Sequence, residues 1–301
     1  MIIPTYNDNE YLPRSVSSVL SQTRSACDLI VVDDGSTEDP EPVLSPFAGQ
    51  VTLIRQENQG CAGARNTGAE QAAGSAFLFL DVDDELTPNA IEALEADALR
   101  TGAGVVFGTV LKRGPDLDTP EMLIGDRRGC AGAPPHPAFR NFWKSSIQTC
   151  GTAIIRRDVF EDVGGFVADL RYGEDRNIWI RLGMITAFHW CDEITLIRHR
   201  RRGSVSRRYA DMILGSVRAQ FHALEWCDQR GIDTAFLGIE HQDLIDRAFN
   251  RAREQYCPGA AERIIALAHE RNLVSSTVRH ATRMMWWSRL RSWLHGGPCQ
   301  A

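Results

Sequence analysis

Long apolar runs are missing from this chain of 301 residues: the longest are a few residues, against the roughly 20 that a helix needs to cross a bilayer. A membrane-spanning helix is thereby excluded. No signal-peptide pattern opens the chain either, so the expectation is a cytoplasmic protein. Paired cysteines are missing too. The eight cysteines (Cys27, Cys61, Cys130, Cys150, Cys191, Cys227, Cys257 and Cys299) stand singly, with no C-x-x-C pair, which points to buried thiols in a reducing compartment rather than to zinc ligands or disulfides. Positive charge is in deficit, with a net charge of −6. A broadly basic surface for nucleic acid is excluded, and any anion site must be local.

What is present, 43% hydrophobic and 24% charged residues, suffices for a large core. The first 110 residues alternate two patterns. "MII", "DLIVV", "VTLI", "AFLFL" and "GVVFGTV" read as strands. Between them, "NDNEYLPRSVSSVLSQ" carries Leu12, Val16, Val19 and Leu20 at helical spacing, "GARNTGAEQAA" is a helix of small residues, and "NAIEALEADALR" follows a helix start at Thr87 and Pro88. The alternation predicts an α/β fold, a mostly parallel sheet sandwiched by helices.

Ligands of such sheets bind outside the carboxyl ends of the strands. Two acidic clusters fall there: Asp33 and Asp34 directly after "DLIVV", and Asp81, Asp83 and Asp84 directly after "FLFL". Their mutual repulsion calls for a cation or hydrogen-bond donors. An Asp-Gly-Ser turn and a helix cap would use the same residues, and both readings stand at this point. Carboxylates after a strand suit Mg²⁺ or Mn²⁺, which keep positions for water and for phosphate oxygens.

"IIPTYND", "VVDDGSTED", "NQGCAGARNTG", "FLFLDVDDEL", "GGF" and "GEDRNIWIRL" together resemble, in order and spacing, the motif series of the family 2 glycosyltransferases. The resemblance implies the Rossmann-like GT-A fold, an inverting mechanism and a nucleotide-diphosphate sugar as donor, a UDP-sugar being favoured. It implies that Pro4, Thr5, Tyr6, Asp33 and Asp34 meet the base and ribose, that Arg65 approaches the base or diphosphate, and that Asp81, Val82 and Asp83 form the D-x-D element. Asp83 and Asp84 become the metal ligands, with His199 as a third, and Asp175 the general base, beside Glu174. A helix starting near Glu174 would let Asp175 face a pocket floored by Trp179. Plain helix-start acids are the alternative for Asp175, and a surface helix arginine for Arg65.

Two departures from the family pattern matter. "RHRRRGSVSRR" matches the serines of an R-x-H-x-x-S-x-S element with Ser204 and Ser206, but places Arg201 at the histidine position and His199 two residues earlier. Ahead of "IIPTYN" only Met1 stands, a stub of the first strand. The catalytic region is expected to span 1–207 and a helical region 208–301. In the latter, Trp286, Leu290, Trp293 and Leu294 share a helix face, interrupted by Arg283, a pattern that fits either packing or peripheral contact with the inner face of a membrane. The acceptor is a hydroxyl of a saccharide, a lipid-linked saccharide or a metabolite. A catalytically inactive nucleotide-sugar binding module is the alternative. It would be expected to lose the acids that this chain keeps.

Overall fold

The computed structural model describes residues 1–114, 121–123, 149–199, 209–238, 241–254 and 258–284. Its strands are β1 (Ile2–Thr5), β2 (Ile30–Asp33), β3 (Thr52–Arg55), β4 (Ala76–Leu78), β5 (Glu85–Leu86), β6 (Val105–Arg113), β7 (Glu121–Leu123), β8 (Ala153–Arg156) and β9 (Phe188–His199). Its α-helices are α1 (Leu12–Leu20), α2 (Glu41–Leu44), α3 (Gly60–Gln71), α4 (Ala90–Thr101), α5 (Arg157–Asp162), α6 (Glu174–Ile185), α7 (Tyr209–Gln229), α8 (His241–Glu254) and α9 (Pro258–Glu270), followed by a helical segment at 276–284.

Strands β1, β2 and β3 are parallel, with Ile2 opposite Ile30 and Ile30 opposite Thr52. They join the second sheet through an Ile2–Phe79 bridge and a 2.9 Å bond from Leu80 N to Ile2 O. That sheet runs β4-β8-β6-β9-β5, with β7 beside β6. Strands β6 and β9 pair in parallel, whereas β8 is antiparallel to both its neighbours. The sheet is therefore mixed.

Alternation along each strand feeds two cores. Ile2, Ile30, Val32, Phe77 and Phe79 face α3, whose Ala62, Ala64 and Ala69 are buried against them. Ile3, Val31, Leu78 and Leu80 face α1 and α4. Buried on both faces, these strands are continuous apolar runs, as a parallel sheet requires. Small residues bring α3 very close: a Cβ on Gly68 would lie 2.5 Å from Ile2 Cγ2. The first helix begins at Leu12, later than its sequence pattern, because Asn7 takes a left-handed φ of 55° and Pro13 sits in the first turn.

The first core does not stop at the sheet. It continues through Phe160, Phe166 and Trp179 into Ile213, Phe221, Leu244 and Ile264, so the C-terminal helices share one apolar interior with the sheets. The segment "TAFLGIEHQDL" is not one helix: a 3₁₀ turn at Ala235–Leu237 ends at Gly238, whose φ of 56° breaks the run before α8. No helix among the described residues is long and apolar enough to cross a membrane. Trp286, Leu290, Trp293 and Leu294 lie outside the described residues.

Candidate active site

The two acidic clusters lie at adjoining strand ends and behave differently. At the end of β2, Asp34 is buried and saturated with donors. Its carboxylate accepts bonds from Gln59 N, Gly60 N and the Gln56 side chain, each at 2.8 Å. Those amides are the start of α3, so the anion at this helix N-terminus is Asp34 itself, not a diphosphate. Asp34 is thus a brace for α3. Asp33 accepts only Ser36 N, at 3.0 Å, among the bonds of its carboxylate. Asn7 ties the loop after β1 to the same turn, accepting Thr37 N at 2.8 Å and donating its own N–H to Ser36 Oγ at 2.9 Å.

Between these loops Thr5 is buried, and its hydroxyl has no hydrogen-bond partner. Such an orphan at a strand end is what a ligand hydroxyl or base would satisfy. Tyr6, next to it, is 49% exposed, and Pro4 is buried in β1.

At the end of β4 the carboxylates are crowded rather than saturated. Asp84 is 2% exposed and accepts His199 N at 3.1 Å. Burial, with the charges of Asp81 and Asp83 beside it, holds its carboxyl well above the usual range. The main chain of Asp83 accepts a 2.7 Å bond from Arg14, which also pairs with Glu85 at 3.1 Å. The His199 ring nitrogen lies 2.6 Å from Glu85 Oε1. His199 is thus hydrogen-bonded to Glu85, and Asp84 is tied to the main chain of β9. Val82 points into the second core, leaving only its backbone for a ligand.

Arg65 connects this cluster to Glu174 and Asp175. It is 2% exposed, with NH2 2.8 Å from Asp81 Oδ1 and NH1 2.9 Å from Asp175 Oδ1 and 3.4 Å from Glu174 Oε1. Its guanidinium also lies 5.2 Å from the Phe166 ring centroid. Arg65 is neither a surface arginine nor a free diphosphate ligand; it is the tie between the D-x-D element and α6. The adjacent Asn66 exchanges two bonds with Phe166, at 2.8 and 2.9 Å, locking the "GGF" turn. A side chain on Gly165 would meet Asn66 Oδ1 at 2.8 Å, and Gly164 and Gly165 have φ of 79° and 66°. Left-handed backbone accounts for both glycines, and close packing adds to it at Gly165.

Helix α6 starts after Gly173, whose φ is 84°. Glu174 and Asp175 occupy the first turn, where the helix dipole favours them. Burial, with Asp175 beside it, pushes the Glu174 carboxyl up to about 7. Cys150, which the sequence reading missed, donates its Sγ–H to Asp175 Oδ1 at 3.0 Å. Burial and the Asp175 charge keep that thiol protonated, well above its usual range. Trp179 is 1% exposed and packs edge-on against Phe107 at 4.9 Å, within the core under α6. Helix α7 abuts this start: a Cβ on Gly215 would lie 2.4 Å from Tyr172 Cβ. Arg201 and Ser204 lie outside the described residues.

The family model described as Glycosyl transferase family 2 matches residues 1–164. The chain belongs to this family. Streptococcus pneumoniae glycosyltransferase GlyG is 36% identical over 271 residues, covering 81% of this chain and 85% of GlyG. Haloferax volcanii glycosyltransferase AglE is 33% identical over 187 residues, 58% of each protein. The chain thus spans less than two thirds of AglE. Two solved structures share the fold along most of the chain. S. aureus TarS in complex with UDP-GlcNAc has a TM-score of 0.60 at 16% identity, covering 99% of this chain and 92% of that one. The mannosyltransferase PcManGT of Pyrobaculum calidifontis, in complex with GDP-Man and Mn²⁺, has a TM-score of 0.59 at 17% identity, covering 97% and 81%. The mixed sheet of this family 2 member is thereby the GT-A fold.

A metal is tested by the donors present. Among the described residues no three His, Cys, Asp or Glu side chains are assembled as a ready ligand group. The chemistry still fits a hard cation: three carboxylates stand within four residues, and Asp84 is raised by burial and by the charges of Asp81 and Asp83.

Proposed function

We propose that this protein transfers a sugar from a nucleotide-diphosphate donor to an acceptor hydroxyl, with inversion at the anomeric carbon. One observation carries the reading: a single guanidinium, Arg65, holds both Asp81 of the D-x-D element and Asp175 of α6. A donor whose diphosphate rests at the β4 end would present its sugar toward α6.

In this reading Asp175 takes the proton of the acceptor hydroxyl. The acceptor oxygen bonds to the anomeric carbon from the face opposite the diphosphate, and the bond from that carbon to the phosphate oxygen breaks, its electron pair leaving with the nucleoside diphosphate. Arg65 and the Cys150 thiol orient Asp175, and both leave its second oxygen unused. Thr5 and Asp33 would meet the nucleoside. Asp83 and Asp81 are the residues to hold Mn²⁺ or Mg²⁺, which when bound offsets charge on the departing diphosphate. UDP is the favoured nucleotide, and the acceptor is a saccharide, a lipid-linked saccharide or a metabolite. The protein acts in the cytoplasm, and its Trp- and Arg-rich C-terminal segment supplies a contact with the inner face of a membrane.

The test is calorimetric titration with UDP, GDP and dTDP, each with and without Mn²⁺. Metal-dependent binding of one nucleotide, followed by sugar release from that nucleotide's sugars, is the expected result. Absence of binding to all of them overturns the reading. Binding without any turnover favours the inactive binding module.

A further inference from the structure

A cavity of about 240 Å³ lies between the first turn of α6 and the facing sides of α7 and α8. Its floor is apolar, from residues such as Val217 and Leu244, and its rim carries Arg176, Arg247 and Arg251 with the Ser216 hydroxyl. No carboxylate lines it. Among the described residues, no ion pair joins any of the three arginines to an acid.

The arrangement is costly as it stands. Arg247 and Arg251 are four apart on α8, where like charges repel. The dipole at the C-terminus of α8 favours Arg251, but it does nothing for Arg247 or for Arg176 on α6. Arg176 is 8% exposed, donates to Ser216 Oγ, and has a buried Nε with no partner. Burial, with Arg251 nearby, lowers its guanidinium to about 10. Three guanidiniums, one hydroxyl and an unused N–H match an anion with several oxygens and more than one charge. A carboxylate would satisfy one fork and leave the rest.

We propose that this cavity is a second anion site, separate from the donor site, that binds a phosphomonoester. Arg247 and Arg251 contact it from α8 and Arg176 from α6, so the bound phosphate bridges the helix that carries Asp175 to the C-terminal helices. The phosphate is either a free sugar or polyol phosphate or the head of a lipid; the chemistry at the arginines is the same.

The probes are glycerol phosphate in solution and vesicles of phosphatidylcholine with or without phosphatidic acid, both offered to the full chain saturated with UDP and Mg²⁺. Glycerol phosphate is expected to bind in the presence of UDP. Arg247→Gln and Arg251→Gln, both exposed positions that fold normally, should each weaken it about tenfold, the worth of one charge-assisted hydrogen bond, and leave UDP affinity unchanged. Co-sedimentation with phosphatidic acid vesicles, lost in the double variant, assigns the site to a lipid head. Binding of glycerol phosphate alone assigns it to a free ester. The proposal is overturned if neither probe binds, if UDP displaces the phosphate, or if the two substitutions leave its affinity untouched. Loss of UDP binding with arginine-dependent phosphate binding intact would instead remove the donor reading and keep this one.

Discussion

Two acidic clusters stand at neighbouring strand ends, and only one is at rest. Asp34 has its carboxylate filled by two backbone amides and a glutamine, all belonging to the start of α3 or the turn before it. Asp81, Asp83 and Asp84 share one turn, and burial, with the charges of the other two beside it, holds the Asp84 carboxyl well above the usual range. The same residue type after the same kind of strand therefore sits in opposite surroundings: in the first cluster Asp34 is filled by donors, and in the second Asp84 is crowded by like charges. Helix α3 joins them, since its N-terminus rests on Asp34 and its Arg65 reaches Asp81 and Asp175.

The largest effect is expected at the far end of that chain of contacts. Asp175→Asn should lower sugar transfer by about 10²–10⁴-fold, the range for loss of a general base, while nucleotide affinity by calorimetry stays within a few-fold. Transfer at the wild-type rate would remove Asp175 from the mechanism. It would leave the contrast between the clusters intact.

The contrast itself is broken or sharpened by one pair of variants. Asp34→Ala strands the first amides of α3 and should cost about 2–3 kcal/mol in urea unfolding. Asp83→Asn should leave stability nearly unchanged, or raise it by relieving repulsion, and abolish metal-dependent nucleotide binding. Equal loss of stability in both would mean that the second cluster is structural too.

Glu174 gives the comparison a pH axis. Its carboxyl is raised from 4.5 to about 7 in the fold, so between those values the unfolded chain releases a proton that the folded chain keeps. Stability should fall as pH rises through that window and level above it, with Asp84 contributing in the same direction. Glu174→Gln should flatten the slope and recover on the order of 2 kcal/mol at neutral pH. A slope unchanged in the variant would assign the titration elsewhere.

How much of this was legible in the sequence follows from range. Strands β1 to β4 and helices α3, α4 and α6 announce themselves in contiguous residues, because burial on both faces or one face repeats with a short period. The roles of Asp34 and Arg65 do not. Asp34 is bonded to amides 25 and 26 residues later, and Arg65 to acids 16, 109 and 110 residues later, and no local pattern encodes those pairings. Trp179 shows the limit from the other side: helical spacing placed it near Asp175 but could not say that its side of α6 faces Phe107. His199 is offered by the R-x-H-x-x-S-x-S pattern, but its partner Glu85, 114 residues earlier, is a pairing that no local pattern encodes.

The smallest predicted effect tests the quietest feature. Thr5 holds a buried hydroxyl that bonds to nothing, between the Asn7 loop and Asp33. Valine has the same shape without the hydroxyl, so Thr5→Val removes an unsatisfied polar group and should leave the unfolding midpoint unchanged or slightly higher. If the hydroxyl exists to meet the nucleoside, the same variant should bind the nucleotide several-fold more weakly, the worth of about one neutral hydrogen bond. Stability gained and affinity lost in one substitution is the signature of a group kept for its ligand. Stability gained with affinity unchanged would place the nucleoside elsewhere along this rim, on Asp33 and Tyr6 without Thr5.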